Sequence, residues 1–360
     1  MFYHLLYPLR DLISAFNIFR YITFRSAYAA VTALLISFLL GPLFIRMLKR
    51  RQLTEVVREY VPESHAVKAG TPTMGGLLIL VATLVPTLLW ARLDNDFVWL
   101  MVFATLWLGA VGFADDYLKV VKRRRKGLIA RYKLTGQLLL GLLIGLYIYH
   151  TQLNGPSSAV EVPFLKDAVI NLGAAYVLFV MIVITASSNA VNLTDGLDGL
   201  AIGLVILCAL AFAAMSYVTG HVRFSDYLNI PYIAGTGELT VYCSALIGAG
   251  LGFLWFNSHP AEVFMGDTGS LAVGGALGTL AILIKKEIWL VIVGGLFVVI
   301  AASVIIQIAS YKLRGKRVFL MAPLHHHFQK KGWPESKVVI RFWIVGALFA
   351  LVALSTLKLQ

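Results

Sequence analysis

The chain has 360 residues, of which 59% are hydrophobic and only 14% are charged. A soluble domain usually has about 45–50% apolar and about 25% charged residues, so this composition argues against one large soluble core and for an integral membrane protein. The net charge is +13, but the basic residues lie between apolar blocks, where they set membrane topology, and we therefore reject a nucleic-acid partner.

Ten apolar blocks approach the roughly 20 residues that a membrane span needs. In chain order they lie at about 22–42, 74–92, 97–114, 134–150, 169–187, 199–218, 240–256, 270–284, 288–310 and 338–357. Two glycine clusters predict broken or tilted helices, one at residues 274–278 and one at residues 294–295. The sequence therefore predicts an all-α integral membrane protein with ten transmembrane helices, folded as a single domain over residues 1–360.

Most of the 31 Lys and Arg residues lie in three loops, at about 43–73, 115–133 and 311–341. With ten spans these loops share one side, and an excess of Lys and Arg marks the cytoplasmic side. The sequence thus predicts that both termini are periplasmic. Two further loops on the cytoplasmic side, at about 188–198 and 257–269, are rich in Asp, Asn and Gly.

Two adjacent acids, Asp115 and Asp116, follow the third block directly in GFADDYLKV. A helix C-terminus carries partial negative charge, so two carboxylates there need a metal ion or the following basic run, KRRRK at residues 122–126, to offset them. They could instead be solvated loop acids. Lys119 and Lys133 flank the basic run and could meet a pyrophosphate or anchor on anionic lipid, and Lys68 has the same ambiguity.

A second polar group lies in NAVNLTDGLDGL. Asp195 and Asp198 are three residues apart and would share a face of a helix, with Asn192 one turn earlier. One of the two acids could simply cap the sixth span. A cap does not account for all three polar side chains together.

The third group lies in NSHPAEVFMGDTGSL, just before a span. Glycines close to Asp267 would let backbone approach a ligand, although Asp267 could also be an N-cap. Phe264 could stack on a flat base or pack in the interior.

Three consecutive histidines, His325, His326 and His327, follow in MAPLHHHFQKKGWPE. On a helix they would splay by about 100° each, so they cannot all bind one metal ion. A structural zinc site would also favour Cys or well-spaced His. One or two of them acting on phosphate or as acid and base is the better hypothesis.

The acids have oxygen-rich, sulfur-free surroundings, which favours Mg²⁺ over zinc. Mg²⁺ usually joins one or two carboxylates to substrate phosphates. A magnesium site at a membrane edge, ringed by Lys and His, indicates phosphate chemistry at the lipid headgroup, in a cleft of the cytoplasmic face.

Taken together, these motifs resemble the phospho-N-acetylmuramoyl-pentapeptide transferases of peptidoglycan synthesis. The stretches that carry the resemblance run from about residue 62 to 341: PESHAVKAGTPTMGG, GFADDYLKV, KGLIARYK, NAVNLTDGLDGLA, NSHPAEVFMGDTGSL and MAPLHHHFQKKGWPE. NLTDGLDGL and VFMGD alone would indicate the wider superfamily of polyprenyl-phosphate sugar-phosphate transferases, whereas APLHHHF with PTMGG points to the muramoyl-pentapeptide branch. Gln329 departs from the Glu expected after HHHF, which puts a role for that side chain in doubt.

The resemblance implies a reaction in the bacterial inner (cytoplasmic) membrane: UDP-N-acetylmuramoyl-pentapeptide and undecaprenyl phosphate give lipid I and UMP, with Mg²⁺. It also implies contact with membrane lipid and a homodimer. By similarity, Asp267 binds the metal ion, Asp115 and Asp116 are catalytic, and His326 with its neighbours is catalytic or contacts phosphate. The residues that the resemblance places in substrate binding are Lys68, Lys119, Lys133, Asn192, Asp195, Asp198, Asn257 and Phe264.

Two rival functions follow from the same residues. In a secondary transporter the acids would form an ion or proton relay near mid-membrane, whereas here they cluster at loop ends on one face. A transferase that uses UDP-N-acetylglucosamine would differ only in the nucleotide sugar consumed. The reaction itself could proceed through a covalent adduct on an Asp or by direct attack of the lipid phosphate, and we favour direct attack.

Overall fold

A computed structural model describes residues 1–51, 70–124, 127–153, 158–165 and 168–358 of the chain. These residues form a helical bundle with one small hairpin. The helices are α1 (Phe2–Leu6), α2 (Ile22–Arg50), α3 (Gly76–Trp90), α4 (Asp96–Val120), α5 (Ala130–Thr151), α6 (Ala175–Thr194), α7 (Leu200–Thr219), α8 (Val222–Leu228), α9 (Leu239–Asn257), α10 (Gly266–Leu283), α11 (Glu287–Val293), α12 (Gly295–Arg314), α13 (Leu324–Lys330) and α14 (Glu335–Ser355).

The predicted multi-pass membrane architecture is confirmed. Among the described residues, nine helices are long and apolar enough to cross a membrane, and α3, with 15 residues, is a shorter apolar helix at the position of the remaining predicted span. The count of ten spans and the periplasmic position of both termini stay predictions.

Several helices run past the boundaries that hydropathy predicts, and two of them, α4 and α6, carry predicted site residues. Helix α4 continues to Val120, so Asp115 and Asp116 lie inside a helix and not in the predicted loop. Helix α6 likewise continues to Thr194 and includes Asn192. Hydropathy ends a span at the first polar side chain, but a helix continues as long as its backbone groups pair internally and its side chains find partners.

The helical face predicted for Asp195 and Asp198 is wrong. Asp195 follows the end of α6, and residues 195–199 form a turn that leads into α7. The turn ends at Gly199, whose φ of 76° lies in the left-handed region that glycine adopts without strain. The two acids are therefore placed by a loop and not by helical periodicity.

The glycine clusters behave differently from each other. The predicted interruption near residues 294–295 is confirmed, because Gly294 separates α11 from α12. Around residues 274–278, however, α10 runs without a break. There the glycines serve close packing: a Cβ on Gly274 would lie 2.8 Å from the backbone oxygen of Ser187 in α6.

Helix α10 is the central element of the core. Every residue from Thr268 to Leu283 is buried, and the helix packs chiefly against α4 and α6. Its N-terminal turn touches two other helices through glycine, since a Cβ on Gly76 would overlap the backbone of Gly269 and one on Gly112 would overlap the backbone oxygen of Asp267. The start of α10 is therefore held between α3 and α4.

The sequence did not predict the hairpin formed by β1 (Ala159–Glu161) and β2 (Val169–Asn171). The strands are antiparallel, with Val160 opposite Ile170. Two buried lysines after α10 hold β1: Lys285 donates to the Ala159 carbonyl at 3.1 Å, and Lys286 forms an ion pair with Glu161. Residues 169–171 thus form strand β2, whereas the sequence predicts that a membrane span begins there.

A buried ion pair ties α2 to the segment before α9. Both terminal nitrogens of Arg25 lie 2.5 Å from the carboxylate oxygens of Glu238, and the two side chains are only 1% and 6% exposed. Glu238 also accepts from the Arg92 backbone N–H at 3.0 Å, and Arg25 donates to the Trp90 carbonyl at 3.2 Å. Each charge is thereby matched by a bidentate partner.

Glu238→Ala should lower the thermal unfolding midpoint in detergent, because it leaves the Arg25 guanidinium buried without its carboxylate. Breaking such a pair from one side typically costs about 3–5 kcal/mol, whereas an apolar pair of similar volume can be neutral. The double variant Arg25→Met/Glu238→Met should therefore unfold nearer to the wild type than Glu238→Ala does. Glu262→Ala, at an exposed acid, is the matched control. Equal midpoints for Glu238→Ala and the control would contradict the assignment.

Candidate active site

The site is organised around the N-terminus of α10, which a carboxylate from α4 caps. Asp116 Oδ1 accepts the Asp267 backbone N–H at 3.1 Å, and Asp116 Oδ2 accepts the Thr268 N–H at 2.8 Å and the Thr268 hydroxyl at 2.6 Å. The first N–H groups of a helix have no partner within it, and its N-terminus carries partial positive charge. Asp116 satisfies both requirements and fixes Asp267 beside it.

Around this contact lies the acid–lysine cluster, formed by Asp115, Asp116, Asp267, Lys119 and Lys133. The three acids each offer a carboxylate oxygen within 4.8 Å of the others. Lys119 forms ion pairs with Asp115 and, at 2.8 Å, with Asp267. Lys133 lies 3.2 Å from Asp115 and also contacts Asp267. The structure thus brings together five of the predicted residues from α4, α5 and α10.

Asp115 is fully buried and is also held by the chain that follows the basic run. Its Oδ1 accepts the Leu128 backbone N–H at 2.7 Å. Gly127 has a φ of 55°, and a Cβ there would lie 2.7 Å from the same oxygen, so the turn packs directly on the carboxylate. Lys119 and the turn therefore enclose Asp115, while the Asp267 side chain keeps 14% of its surface exposed.

The second predicted motif joins the cluster through Asn192. Its amide nitrogen donates to Asp267 Oδ1 and to Ser270 Oγ, both at 2.8 Å. This contact depends on the close approach of α6 to α10, which small residues such as Gly274 permit. Asp195 is partly buried directly after α6.

The three histidines lie on α13 and face different partners, as the helical splay predicts. His325 is fully buried, and His326 Nδ1 lies 2.8 Å from Gln329 Oε1. His327 Nδ1 accepts the Leu320 backbone N–H at 3.1 Å. A Cβ on Gly196 would lie 2.5 Å from His325 Nε2 and 3.3 Å from His326 Nε2, so α13 packs on the turn after α6.

The remaining predicted residues lie in the adjoining loops. Asn257, at the end of α9, accepts the Gly199 N–H at 3.1 Å and donates to the Val263 carbonyl at 2.8 Å. Asp198 is buried beside it. The Phe264 backbone forms hydrogen bonds of 2.8 Å with Pro72 and Gly75, which places the segment before α3 against this loop. Lys68 lies outside the described residues.

The donor set of the acid–lysine cluster suits a hard cation. It offers three carboxylates from two helices and no sulfur, which is the oxygen chemistry that Mg²⁺ prefers. Two ammonium groups balance only two of the three negative charges. Asp267 is the most exposed of the three acids, although Lys119, Lys133 and Asn192 already contact its carboxylate oxygens.

Several side chains of the site were not singled out in the sequence. Thr268 follows Asp267 and donates its hydroxyl to Asp116, and Ser270, two residues further on, accepts from Asn192. Their position in GDTGS was the available signal. His259 and Glu335 belong to the motifs NSHPAEVFMGDTGSL and MAPLHHHFQKKGWPE, but they contact Asp198 from the α9–α10 loop and from the start of α14. No periodicity or spacing connects those two residues with Asp198.

Comparison with known proteins identifies the family of the chain. Residues 98–285 match the model of glycosyl transferase family 4, and residues 68–80 match phospho-N-acetylmuramoyl-pentapeptide-transferase signature 1. Proteins named phospho-N-acetylmuramoyl-pentapeptide-transferase from Granulibacter bethesdensis and Citrifermentans bemidjiense are 58% and 55% identical to the chain. Each match covers 100% of this chain and 100% of the relative. The chain belongs to the phospho-N-acetylmuramoyl-pentapeptide transferase family.

The family assignment confirms the resemblance inferred from the motifs. Its signature covers the PTMGG segment, which in the structure pairs with the Phe264 loop. The glycosyl transferase match covers α4 to α10, which supply the whole acid–lysine cluster. The catalytic, metal-binding and substrate-binding roles that the resemblance implies for individual residues stay predictions.

Asp116→Ala should destabilise the protein even without substrate, because the first turn of α10 loses the acceptor for two N–H groups and a hydroxyl. Loss of a helix cap costs about 0.5–2 kcal/mol, and buried unsatisfied donors add to this. The thermal unfolding midpoint in detergent should fall, whereas Asp226→Ala, at an exposed acid of α8, should leave it unchanged. A wild-type midpoint for Asp116→Ala would show that the cap does not hold α10.

Proposed function

We propose that this protein transfers phospho-N-acetylmuramoyl-pentapeptide from its UDP-linked form to undecaprenyl phosphate in the bacterial cytoplasmic membrane, giving lipid I and UMP. The observation that carries the proposal is the acid–lysine cluster, in which three acids and two lysines converge where α4 ends and where α5 and α10 begin. Membership of the transferase family supports the choice of donor and acceptor.

In the proposed reaction an oxygen of the lipid phosphate attacks the β-phosphorus of the donor. A new phosphorus–oxygen bond forms, the bond between the β-phosphorus and the bridging oxygen breaks, and UMP leaves with that oxygen. A phosphate monoester has a second pKa near 6, so the lipid phosphate is mostly dianionic at neutral pH and needs little help from a base. Positioning and charge neutralisation then supply most of the catalysis.

The two lysines are suited to this neutralisation. Lys119 and Lys133 both pair with Asp115 and Asp267, and they are 30% and 20% exposed, so a pyrophosphate entering the cluster can share their ammonium groups. Asp115 would keep both ammonium groups in place during this exchange. Asp116 would hold Asp267 at the start of α10, and a histidine of α13 would contact phosphate.

Mg²⁺ held by Asp267 would neutralise the charge on the pyrophosphate of the donor. Asp115 and Asp116 offer further carboxylate oxygens within 4.8 Å. Asn192 would orient the Asp267 carboxylate through its 2.8 Å hydrogen bond.

We further propose that the loops next to the cluster bind the nucleoside end of the donor. Asp195, Asp198, Asn257 and Phe264 would contribute to this pocket with Lys68, and Phe264 would stack on the base. Undecaprenyl phosphate would enter from the surrounding lipid. We also propose that the protein is a homodimer, which light scattering of the purified protein in detergent would test.

The purified wild-type protein should release UMP from UDP-N-acetylmuramoyl-pentapeptide only when polyprenyl phosphate and Mg²⁺ are present. A fluorescent donor analogue would follow formation of the lipid product by chromatography. UDP-N-acetylglucosamine is the control donor and should give no product. Product from the control donor alone would move the protein to the other branch of the superfamily, and substrate uptake without UMP release would favour the transporter hypothesis.

Asp267→Asn should reduce turnover by more than about a hundredfold, because even the outer partners of metal ligands are each worth roughly 10–100-fold. Turnover is measured at increasing Mg²⁺, with Asp226→Asn as the control. If Asp267→Asn keeps near-normal activity at saturating Mg²⁺, Asp267 does not bind the metal ion.

A further inference from the structure

A network of hydrogen bonds joins the turn at residues 195–199 to two other segments of the chain. His259 Nδ1 lies 3.0 Å from Asp198 Oδ2, which also accepts the Ala261 backbone N–H at 3.2 Å. On the other side of the turn, Glu335 Oε1 accepts the Asp198 backbone N–H at 2.8 Å. The α9–α10 loop and the start of α14 thus both form hydrogen bonds with Asp198, from positions 61 and 137 residues away.

The contacts differ in what they fix. His259 contacts the carboxylate of Asp198 and therefore sets where that carboxylate points. Glu335 contacts the main chain, so it sets the path of the turn and, through Gly199, the bond from its N–H to Asn257. Bonds of this kind to a charged group are stronger than neutral ones.

The exposed fractions of the two side chains indicate that His259 supports Asp198 and not the reverse. The Asp198 side chain is 2% exposed, whereas that of His259 is 44% exposed. A buried carboxylate needs its hydrogen bonds in place before a ligand arrives, because an unsatisfied buried acceptor is costly. The exposed His259 can change without opening the core, which makes its effect on Asp198 measurable.

We propose that His259 and Glu335 are positioning residues, which hold Asp198 and Asn257 in the arrangement that binds the nucleoside end of the donor. The inference rests on the proposed function, since it takes the donor to be a uridine nucleotide. Neither residue needs to touch the substrate. Their loss should weaken donor binding while the acid–lysine cluster and the lipid acceptor are unaffected.

The decisive comparison is between His259→Asn and His259→Gln. The amide nitrogen of Asn takes the place of the imidazole Nδ1, whereas that of Gln takes the place of Nε2. His259→Asn should therefore keep the bond to Asp198 and the wild-type KM for the donor. His259→Gln should raise that KM by about tenfold, with kcat at saturating donor and the KM for polyprenyl phosphate changed by less than about threefold.

Glu335 is tested in the same way. Glu335→Gln keeps the carbonyl acceptor for the Asp198 N–H and should stay within about threefold of the wild type, while Glu335→Ala should raise the donor KM by about tenfold. His150→Ala and Glu262→Ala are the matched controls, because both side chains are exposed and the second lies in the same loop as His259. Each variant is also titrated with UMP alone, so that binding is measured without turnover.

Equal donor KM values for His259→Asn and His259→Gln would overturn the proposal, as would a fall in kcat alone or an equal rise in both KM values. Should an Ala variant fail to fold, the Asn and Gln variants and the UMP titration decide the question. If the wild type forms lipid product and the variants keep its donor KM, only this inference fails. If the wild type forms no product from the UDP-linked donor, the proposed function fails first.

Discussion

The contact between Asp116 and the N-terminus of α10 sets the geometry of the whole site. A carboxylate at a membrane edge is costly unless it is paired, and the first turn of a helix leaves its N–H groups without partners. When α4 places Asp116 against residues 267 and 268, the carboxylate gains hydrogen-bond donors and the N–H groups gain an acceptor. Asp267 then projects from the first turn of α10 toward the lysines of α4 and α5 and toward Asn192 of α6.

This contact forms only because the backbones approach closely. Gly112 lies against the Asp267 carbonyl, and Gly76 lies against Gly269. A side chain larger than hydrogen at either position would separate α10 from its neighbours. In a membrane, where apolar burial drives helix association little, such small residues decide which helices touch. Gly269, predicted to let backbone approach a ligand near Asp267, thus serves helix packing.

The loops continue the same arrangement toward the neighbouring pocket. The turn after α6 carries Gly196 beneath the histidines of α13, and Asp198 faces the α9–α10 loop. One short turn between α6 and α7 therefore joins the histidines to the polar loop that we propose for the nucleoside. A member of a phosphotransferase family needs this continuity, because catalysis and donor binding must act on one molecule.

The sequence by itself determined the membrane class, the position of the apolar blocks and the identity of the polar motifs, because hydropathy and residue type are local properties. It also indicated that Asp115, Asp116 and Asp267 belong together, on chemistry and on resemblance to the family. It could not show that α4 continues past Asp115 and Asp116 or that Lys285 and Lys286 anchor a hairpin. Nor could it show that His259 and Glu335 form hydrogen bonds with Asp198.

Only the tertiary structure decided which group each polar side chain meets. Asp116 and Thr268 are 152 residues apart, and Asp198 and Glu335 are 137 apart. No pattern within a window of sequence connects such pairs, since their distance is set by how the helices pack between them. The same packing turns Asp116 from a candidate loop acid into a helix cap, because a partner across the bundle and not its neighbours in sequence supplies its hydrogen bonds.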